Sequence, residues 1–270
     1  MDENYKNWLR YNKNGEEVDY YYQAMYDGCA VDSIIRSISG QSIKKTTSGV
    51  TLIEYARANG DGWDVWETRF IFIRNLLLLL IGKSTDTQTV FGTGRYSGGS
   101  SSSNNQLSTG QLDTSGQFGG DDDNGAVKVF HSENPWGNIW KITQGLIQSG
   151  GTLYLKLTPN TNDGTTVDDY LQTSVDGYLD TGITLSGTSG GYISGVELAA
   201  DSGLLPSVVS GSSSTYFPDG TWWDTSIVGF ARFGSLPAFG LLVGAFAFSV
   251  NNAVSYSYWH SGVSLSYTPS

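Results

Sequence analysis

The C-terminal part of the chain is free of charged residues over a long stretch, and this constrains the fold more than any other feature. No Asp, Glu, Lys or Arg occurs from Phe233 to Ser270, although the whole chain has a net charge of −11. Such a segment either belongs to a core or presents an aromatic surface that binds another molecule. Apolar alternation predicts burial for Phe246, Phe248 and Leu265.

The remaining composition indicates a β-rich protein. The 270 residues include 35 Gly, 16 Tyr and 8 Trp but only 6 Pro, which favours many short strands and turns over a helical bundle. We find no repeat period and no linker that would divide the chain, so we expect one large domain.

Charge and residue counts disfavour several classes of function. The net charge of −11 argues against a nucleic-acid partner, which requires a cationic surface. Cys29 is the single cysteine and is predicted to be a buried apolar residue, while His131 and His260 lack metal-ligand spacing. We therefore expect no metal and no cofactor. The run Asp121–Asn124 leaves calcium as an alternative, although three consecutive acids more often form a solvated turn.

Neither apolar run is long enough to cross a membrane. The runs Phe70–Gly82 and Leu236–Phe248 fall short of the roughly 20 apolar residues that a span needs. The N-terminal sequence "MDENYKNWLRYNKNGEE" is too polar for a signal peptide. We expect no membrane insertion and no export by a standard signal.

Two helices are predicted in the N-terminal half. In "TLIEYARANG", Thr51 and Glu54 form a capping box, and Gly60 suits the position after the helix. The second helix is predicted from Trp63 to Ile81, with Arg74 on its outer side and an apolar face on the core. That face comprises Trp66, Phe70, Ile73, Leu77 and Leu80.

The rest of the chain is predicted to consist of strands separated by loops. Residues 92–124 contain too little apolar surface to order themselves and are predicted to form a long surface loop. Ala126–Phe130 predicts a strand, and two further strands are predicted to meet around Ser149–Gly151. Trp136 and Trp140 are expected in the core.

Four short motifs, in this order, resemble those of a known family. "VTLIEYARANGDGW" resembles the first helix of the formylglycine-generating-enzyme branch of the C-type lectin fold, and "ENPWGNIWKI" resembles its Gly-Asn-Val-Trp-Glu-Trp signature. "ARFGS" resembles its Arg-Gly-Gly-Ser strand, and "SGVSLSY" resembles its terminal Gly-Phe-Arg strand. The resemblance covers most of the chain after about Val50 and implies an α+β fold with two N-terminal helices, a mixed or antiparallel sheet and long irregular loops.

The chain departs from the oxidising enzymes of that family in its cysteines. Those enzymes use a cysteine pair near the C-terminal motifs, and no cysteine follows Cys29 here. The resemblance is therefore to the variable proteins of diversity-generating retroelements, which carry a C-terminal variable region on the same scaffold. It implies an arm or strand at residues 1–40 that packs on a C-type lectin-like domain at residues 41–270, with a variable region at about 232–267.

The resemblance also implies a set of ligand-binding positions within the variable region. They are Leu236, Ala238, Phe239, Leu241, Leu242, Ser255, Tyr256, Ser257, Tyr258 and His260. The retroelements substitute adenines in Asn codons, so Lys, Glu, Gln, Met and Trp cannot arise there, and these types are absent from Leu236 to Ser261 except at Trp259. We expect exposure for Leu236, Phe239, Leu242 and the tyrosines.

Alternation along the chain refines this set. Tyr256, Tyr258 and His260 would all point the same way from an extended segment. Trp222 and Trp223 would point in opposite directions, so one of them could reach the surface beside the site. No acid partner for His260 is recognisable, so we expect neither a general base nor a pH switch there.

The expected function is non-enzymatic binding of a host cell-surface protein or glycan, as by a receptor-binding protein of a phage or viral tail. The protein would then act on the virion tail or at a cell surface, either as a monomer or as a homo-oligomer. The alternative is a structural tail or fibre component whose apolar C-terminus is an assembly interface. A residual oxidising enzyme is disfavoured by the cysteine count.

Overall fold

A computed structural model describes residues 11–12, 16–95, 106–121, 123–156, 175, 177–199 and 203–269. The architecture is α+β, as predicted, with few helices and a large sheet that is nearly closed. The helices are α1 (Gly49–Arg57), α2 (Thr68–Gly82) and α3 (Thr87–Phe91), and a 3₁₀ helix spans Pro237–Leu242.

Short strands are distributed along the whole described chain. In the first half they are β1 (Tyr22–Asp27), β2 (Cys29–Val31), β3 (Ile34–Arg36), β4 (Thr47–Ser48), β5 (Trp63–Val65), β6 (Gly119–Asp121), β7 (Ala126–Val129), β8 (Ser132–Glu133) and β9 (Trp140–Ser149). In the second half they are β10 (Thr152–Leu155), β11 (Leu179–Thr184), β12 (Ser186–Gly187), β13 (Gly190–Ala199), β14 (Gly203–Val209), β15 (Gly220–Trp223), β16 (Val228–Phe233), β17 (Phe248–Val250), β18 (Ser257–Tyr258), β19 (Ser261–Gly262) and β20 (Ser264–Tyr267).

The largest sheet has ten strands and curls back on itself. Its order is β11-β10-β9-β16-β17-β15-β13-β14-β12, with β19 pairing beside β9. Its first and last strands are consecutive in the chain, and Leu185 alone separates them. The two ends of the sheet are therefore held together by continuous backbone, and buried Leu185 lies in the core beneath them.

The predicted pair of strands around Ser149–Gly151 is confirmed as the β9–β10 hairpin. Ser149 pairs with Thr152, so the loop between them has two residues. Both loop residues are glycines with positive φ, +60° at Gly150 and +89° at Gly151. Two-residue hairpin loops favour such residues because positive φ matches the twist of the flanking strands.

The first predicted helix is present, but its N-terminal cap differs from the prediction. The cap is Ser48, whose Oγ accepts a hydrogen bond from the Thr51 backbone N at 3.2 Å. The helix begins earlier than expected because Gly49 lets its backbone approach the chain at Val254, where a Cβ would lie 2.7 Å from the carbonyl oxygen. The helix ends at Arg57, and Gly60 follows it with a φ of +113°.

The second predicted helix was wrong in its start and in the face that it buries. Trp63–Val65 forms β5, and α2 begins only at Thr68. Arg74 and Asn75 are buried, whereas Leu77 and Leu80 are exposed. Asn75 Nδ2 donates to the Ala245 carbonyl at 2.7 Å, and the Arg74 guanidinium lies over the ring of Trp66. These partners allow polar side chains on the inner face.

The remaining predictions about single elements have mixed outcomes. The strand at Ala126–Phe130 is confirmed as β7. The described part of segment 92–124 consists mainly of turns, with short strand β6 at its end, while residues 96–105 lie outside the described chain. None of the described helices has the length and apolar character to span a membrane.

Outside helix α2, the core contains the apolar residues for which burial was predicted. These are Cys29, Trp136, Trp140, Phe246, Phe248 and Leu265. The N-terminal strand β1 packs on this core, since it pairs antiparallel with β20, which in turn pairs with β5. Among the described C-terminal residues, the exposed and half-buried side chains lie mainly on the segments around β17.

Candidate functional site

A cavity of about 210 Å³ lies where the C-terminal segments meet. It is bounded by the end of β16, the 3₁₀ helix, β17 and the chain that follows β17. We call it the C-terminal cavity, and its lining residues are Trp140, Trp222, Arg232, Leu236, Phe239, Ser249, Asn251, Asn252, Tyr256, Tyr258 and His260.

The structure brings half of the predicted binding residues to this cavity. Those that line it are Leu236, Phe239, Tyr256, Tyr258 and His260. The others, Ala238, Leu241, Leu242, Ser255 and Ser257, lie on the same segments but do not line it, and all except half-buried Leu242 are exposed.

The predicted exposure of Leu236 was wrong, because its side chain is only 4% exposed. After β16 the backbone turns through two positive-φ residues, Gly234 and Ser235. The Gly234 N–H donates to the Ala247 carbonyl at 3.0 Å, which fixes this turn against the core. Leu236 therefore points inward and becomes part of the cavity wall.

One wall of the cavity is a ladder of three rings. The ring of Tyr256 stacks on that of Tyr258 with centroids 4.6 Å apart and planes 17° apart. The ring of His260 follows at 4.4 Å from Tyr258. The three alternating residues do point the same way, as predicted, and they present a continuous aromatic surface.

A second aromatic cluster also lines the cavity. The ring of Trp222 lies 4.5 Å from that of Phe239, and Trp140 meets Trp222 edge to face at 5.5 Å. Trp223 points the other way into the core, so the predicted opposition of the two tryptophans is confirmed. Trp140 is buried as predicted, yet it also lines the cavity.

Arg232 supplies the positive charge of the cavity. Its guanidinium lies over the Trp140 ring, 5.5 Å from the centroid, and the residue is only 4% exposed. It donates to Ser261 Oγ at 3.1 Å, Ser249 Oγ at 3.0 Å and Asn251 Oδ1 at 2.9 Å, and also to Asn252 Oδ1. Burial lowers its pKa to about 10, so it remains charged at neutral pH.

His260 does not have the properties of a general base. Burial, together with the charge of Arg232, lowers its pKa to about 4. Its ring is therefore neutral at pH 7 and offers one N–H donor and one acceptor. Its Nδ1 lies 3.4 Å from Ser261 Oγ, and no carboxylate among the described residues orients it.

A second, wider depression adjoins the C-terminal cavity. It has a volume of about 500 Å³ and shares Trp222 and Asn251 with the cavity. Its other lining residues are Ser189, Gly190, Trp223, Asp224 and Thr225. A ligand larger than the cavity could therefore extend past Trp222 onto this surface.

The calcium alternative finds no support in the described residues. They include no group of three or more His, Cys, Asp or Glu side chains placed to hold a metal ion. Asp121 and Asn124 form a hydrogen-bonded turn, in which Gly125 N donates to the Asp121 carbonyl at 2.7 Å. Asp122 lies outside the described residues.

Sequence reasoning missed the polar base of the cavity. Asn251 and Asn252 were not among the predicted binding positions, and Arg232 was noticed only within the motif "ARFGS". A signal was present, because Arg232 is an isolated cation in the apolar run "VGFARFG" and precedes a segment without charge. A cation at such a position needs polar partners from elsewhere in the fold.

The fold and the site define an α+β protein with an aromatic-walled cavity that has a buried arginine at its base. No protein-family model matches the chain, and no curated protein matches it.

Proposed function

We propose that this protein is a non-enzymatic ligand-binding protein that displays a diversified C-terminal surface on a C-type lectin-like scaffold. The observation that carries the proposal is the convergence of Phe239, Tyr256, Tyr258 and His260 on one cavity. These residues come from two chain segments, and their rings offer a large contact area with little conformational entropy to lose. Its role would be receptor binding at a viral or prophage tail, with a host cell-surface protein or glycan as partner.

The distribution of burial supports a separation between frame and variable surface. Buried strand residues flank the site, including Phe248 in β17 and Leu265 in β20. In the segments before and after β17, Ala238, Leu241 and Ser255 are exposed. Substitutions at such exposed positions leave a packed core unchanged, which a diversified binding protein requires.

The alternative role as a structural tail component has less support. It needs an apolar C-terminal face that is free to cover a second subunit. Every residue from Val243 to Val250 is buried within the protein's own fold. The apolar run is therefore explained by the core and leaves little surface for assembly.

An oxidising enzyme is also disfavoured by the placement of the thiol. Cys29 is buried, and its Sγ donates to the Arg36 carbonyl at 3.3 Å. Burial raises the pKa of this thiol and so suppresses the thiolate. It does not line the C-terminal cavity.

Sequencing the 3′ half of the gene from many clones of one lineage tests the diversification. We expect substitutions confined to the proposed positions, at sites that are adenine in a near-identical repeat downstream. An invariant tail without such a repeat would contradict diversification.

The binding role is tested with the double variant Tyr256→Ala/Tyr258→Ala, assayed for attachment of the purified protein to host cells. Removing two stacked rings should reduce attachment at least tenfold, because aromatic anchors contribute roughly 2 kcal/mol or more each. Tyr216→Ala is the matched control, since Tyr216 is 79% exposed and lies outside the cavity. Equal loss in both variants, or in neither, would contradict the proposed site.

A further inference from the structure

We infer that the C-terminal cavity binds a carboxylate-bearing sugar residue, with Arg232 as the group that pairs with the carboxylate. This inference rests on the proposed binding function and names the class of ligand. It goes beyond the aromatic character of the site, because aromatic walls alone do not distinguish charged from neutral ligands.

Arg232 has no counter-charge among the described residues. Its side-chain partners are two serine hydroxyls and two asparagine amides, all of them neutral. Among the described residues no carboxylate lies within ion-pair distance of it, and its Nε–H is buried without any acceptor. The base of the cavity therefore contains a charged donor group whose hydrogen-bonding capacity is not fully used.

A buried guanidinium without a counter-charge is energetically unfavourable until an anion binds to it. A buried cation keeps its desolvation penalty unless an opposite charge offsets it. Two other buried cations of this protein have such partners, since Lys141 pairs with Asp27 at 3.1 Å and Arg69 pairs with Glu67 at 2.7 Å. Buried Arg74 and Lys128 likewise have no carboxylate within ion-pair distance among the described residues, but neither lines the C-terminal cavity, whereas Arg232 does. A carboxylate matches its planar fork of donors.

Two amides beside Arg232 add hydrogen-bond donors to the base of the cavity. Asn251 and Asn252 both present their Oδ1 atoms to the guanidinium. Their Nδ2 groups are therefore left to donate elsewhere, and both residues line the cavity. Together with Arg232 they make the base rich in donors, which favours a ligand rich in acceptors.

The lining of the C-terminal cavity favours a sugar over an acidic peptide side chain. The cavity has room for about one ring, and aromatic rings line it together with amide, hydroxyl and imidazole groups. A sugar ring offers C–H faces for the aromatic walls and hydroxyls for the polar groups. An acidic side chain would use the guanidinium but would leave the aromatic walls largely uncovered.

The test is a ligand-observed NMR titration of the wild-type protein with three probes. Glucuronate and glucose differ by one carboxylate, and N-acetylglutamate carries a carboxylate without a sugar ring. We expect saturable, millimolar binding of glucuronate that exceeds that of either other probe at least tenfold. Equal binding of glucose, tighter or equal binding of N-acetylglutamate, or no binding of glucuronate would overturn the inference.

A variant assigns the effect to Arg232. Arg232→Gln should weaken glucuronate binding by roughly 10- to 100-fold while leaving the weak binding of glucose unchanged, because only the charged hydrogen bonds are lost. Arg36→Gln is the control, since Arg36 is exposed and outside the cavity. If Arg232→Gln does not fold, the wild-type titration still decides the inference.

Competition separates this inference from the proposed function. Glucuronate in excess should inhibit attachment of the protein to host cells. Attachment that depends on Tyr256 and Tyr258 but resists glucuronate would overturn the acidic-sugar inference and leave the binding function standing.

Discussion

Asp219 is a buried carboxyl that has no cationic partner within ion-pair distance among the described residues. Its side chain is fully buried, and its oxygens accept hydrogen bonds from Phe246 N at 2.7 Å and Gln88 Nε2 at 3.2 Å. Burial raises the pKa of its carboxyl from 3.8 to about 7. Between these values the unfolded chain releases a proton that the folded protein retains, so stability falls as pH rises from about 4 to about 7.

The variant Asp219→Asn cannot ionise and should lack this decline. Relative to the variant, the wild type should lose roughly 3–5 kcal/mol of unfolding free energy between about pH 4 and about pH 7. The lowered pKa of His260 adds a slope of opposite sign, but both proteins share it, so it cancels in the difference. Urea unfolding at both pH values measures the effect.

The control for Asp219 is the exposed residue Asp224. Hydrogen bonds from Ser226 lower the pKa of Asp224, so its titration lies below the tested range. The unfolding free energy of Asp224→Asn should therefore change with pH as that of the wild type does. If the unfolding free energy of Asp219→Asn also changed with pH as that of the wild type does, the Asp219 carboxyl would already be ionised at low pH.

At the scale of elements, the β9–β10 hairpin isolates the effect of backbone conformation. Gly150 has a φ of +60°, and a Cβ placed there would meet nothing within 4 Å. Gly150→Val should cost about 1–2 kcal/mol, because a branched side chain is strained at positive φ. Gly150→Asn should be nearly neutral, since Asn tolerates this conformation. Equal unfolding free energies for the two variants in urea would contradict this account.

Local patterns predicted those elements whose neighbours in the chain determine them. The β9–β10 hairpin follows from two glycines between apolar runs, and β7 was predicted from the short run Ala126–Phe130. Helix α2 was predicted with the wrong inner face because its run of leucines is apolar all round. Its orientation is set by distant partners, such as the Ala245 carbonyl that Asn75 binds.

The candidate site likewise has one part that local sequence patterns predict and one part that they do not. The ladder of Tyr256, Tyr258 and His260 follows from alternation within one segment, and this could be predicted. The polar base could not, because Arg232 meets Ser249 only through the antiparallel pairing of β16 with β17. Ser261 reaches Arg232 because β19 runs parallel to β9, a pairing with no local signature.

At the scale of the whole molecule, the N-terminal strand and the large sheet are linked by a buried ion pair. Lys141 in β9 is fully buried and lies 3.1 Å from Asp27 at the end of β1. Asp27 also accepts hydrogen bonds from Asn138 and Ser264, so it connects β1, the approach to β9 and β20. The stability of the C-terminal frame therefore depends on the N-terminal part of the chain.

A double-mutant cycle tests this linkage. Asp27→Asn should cost about 3–5 kcal/mol in unfolding free energy, because it leaves the Lys141 ammonium buried without a counter-charge. Adding Lys141→Met removes that charge, so the double variant should be more stable than Asp27→Asn alone in urea unfolding.

Exposed Asp123 supplies the control, since Asp123→Asn should change stability by less than about 0.5 kcal/mol. A double variant whose loss equals the sum of the single losses would show that the two side chains do not interact.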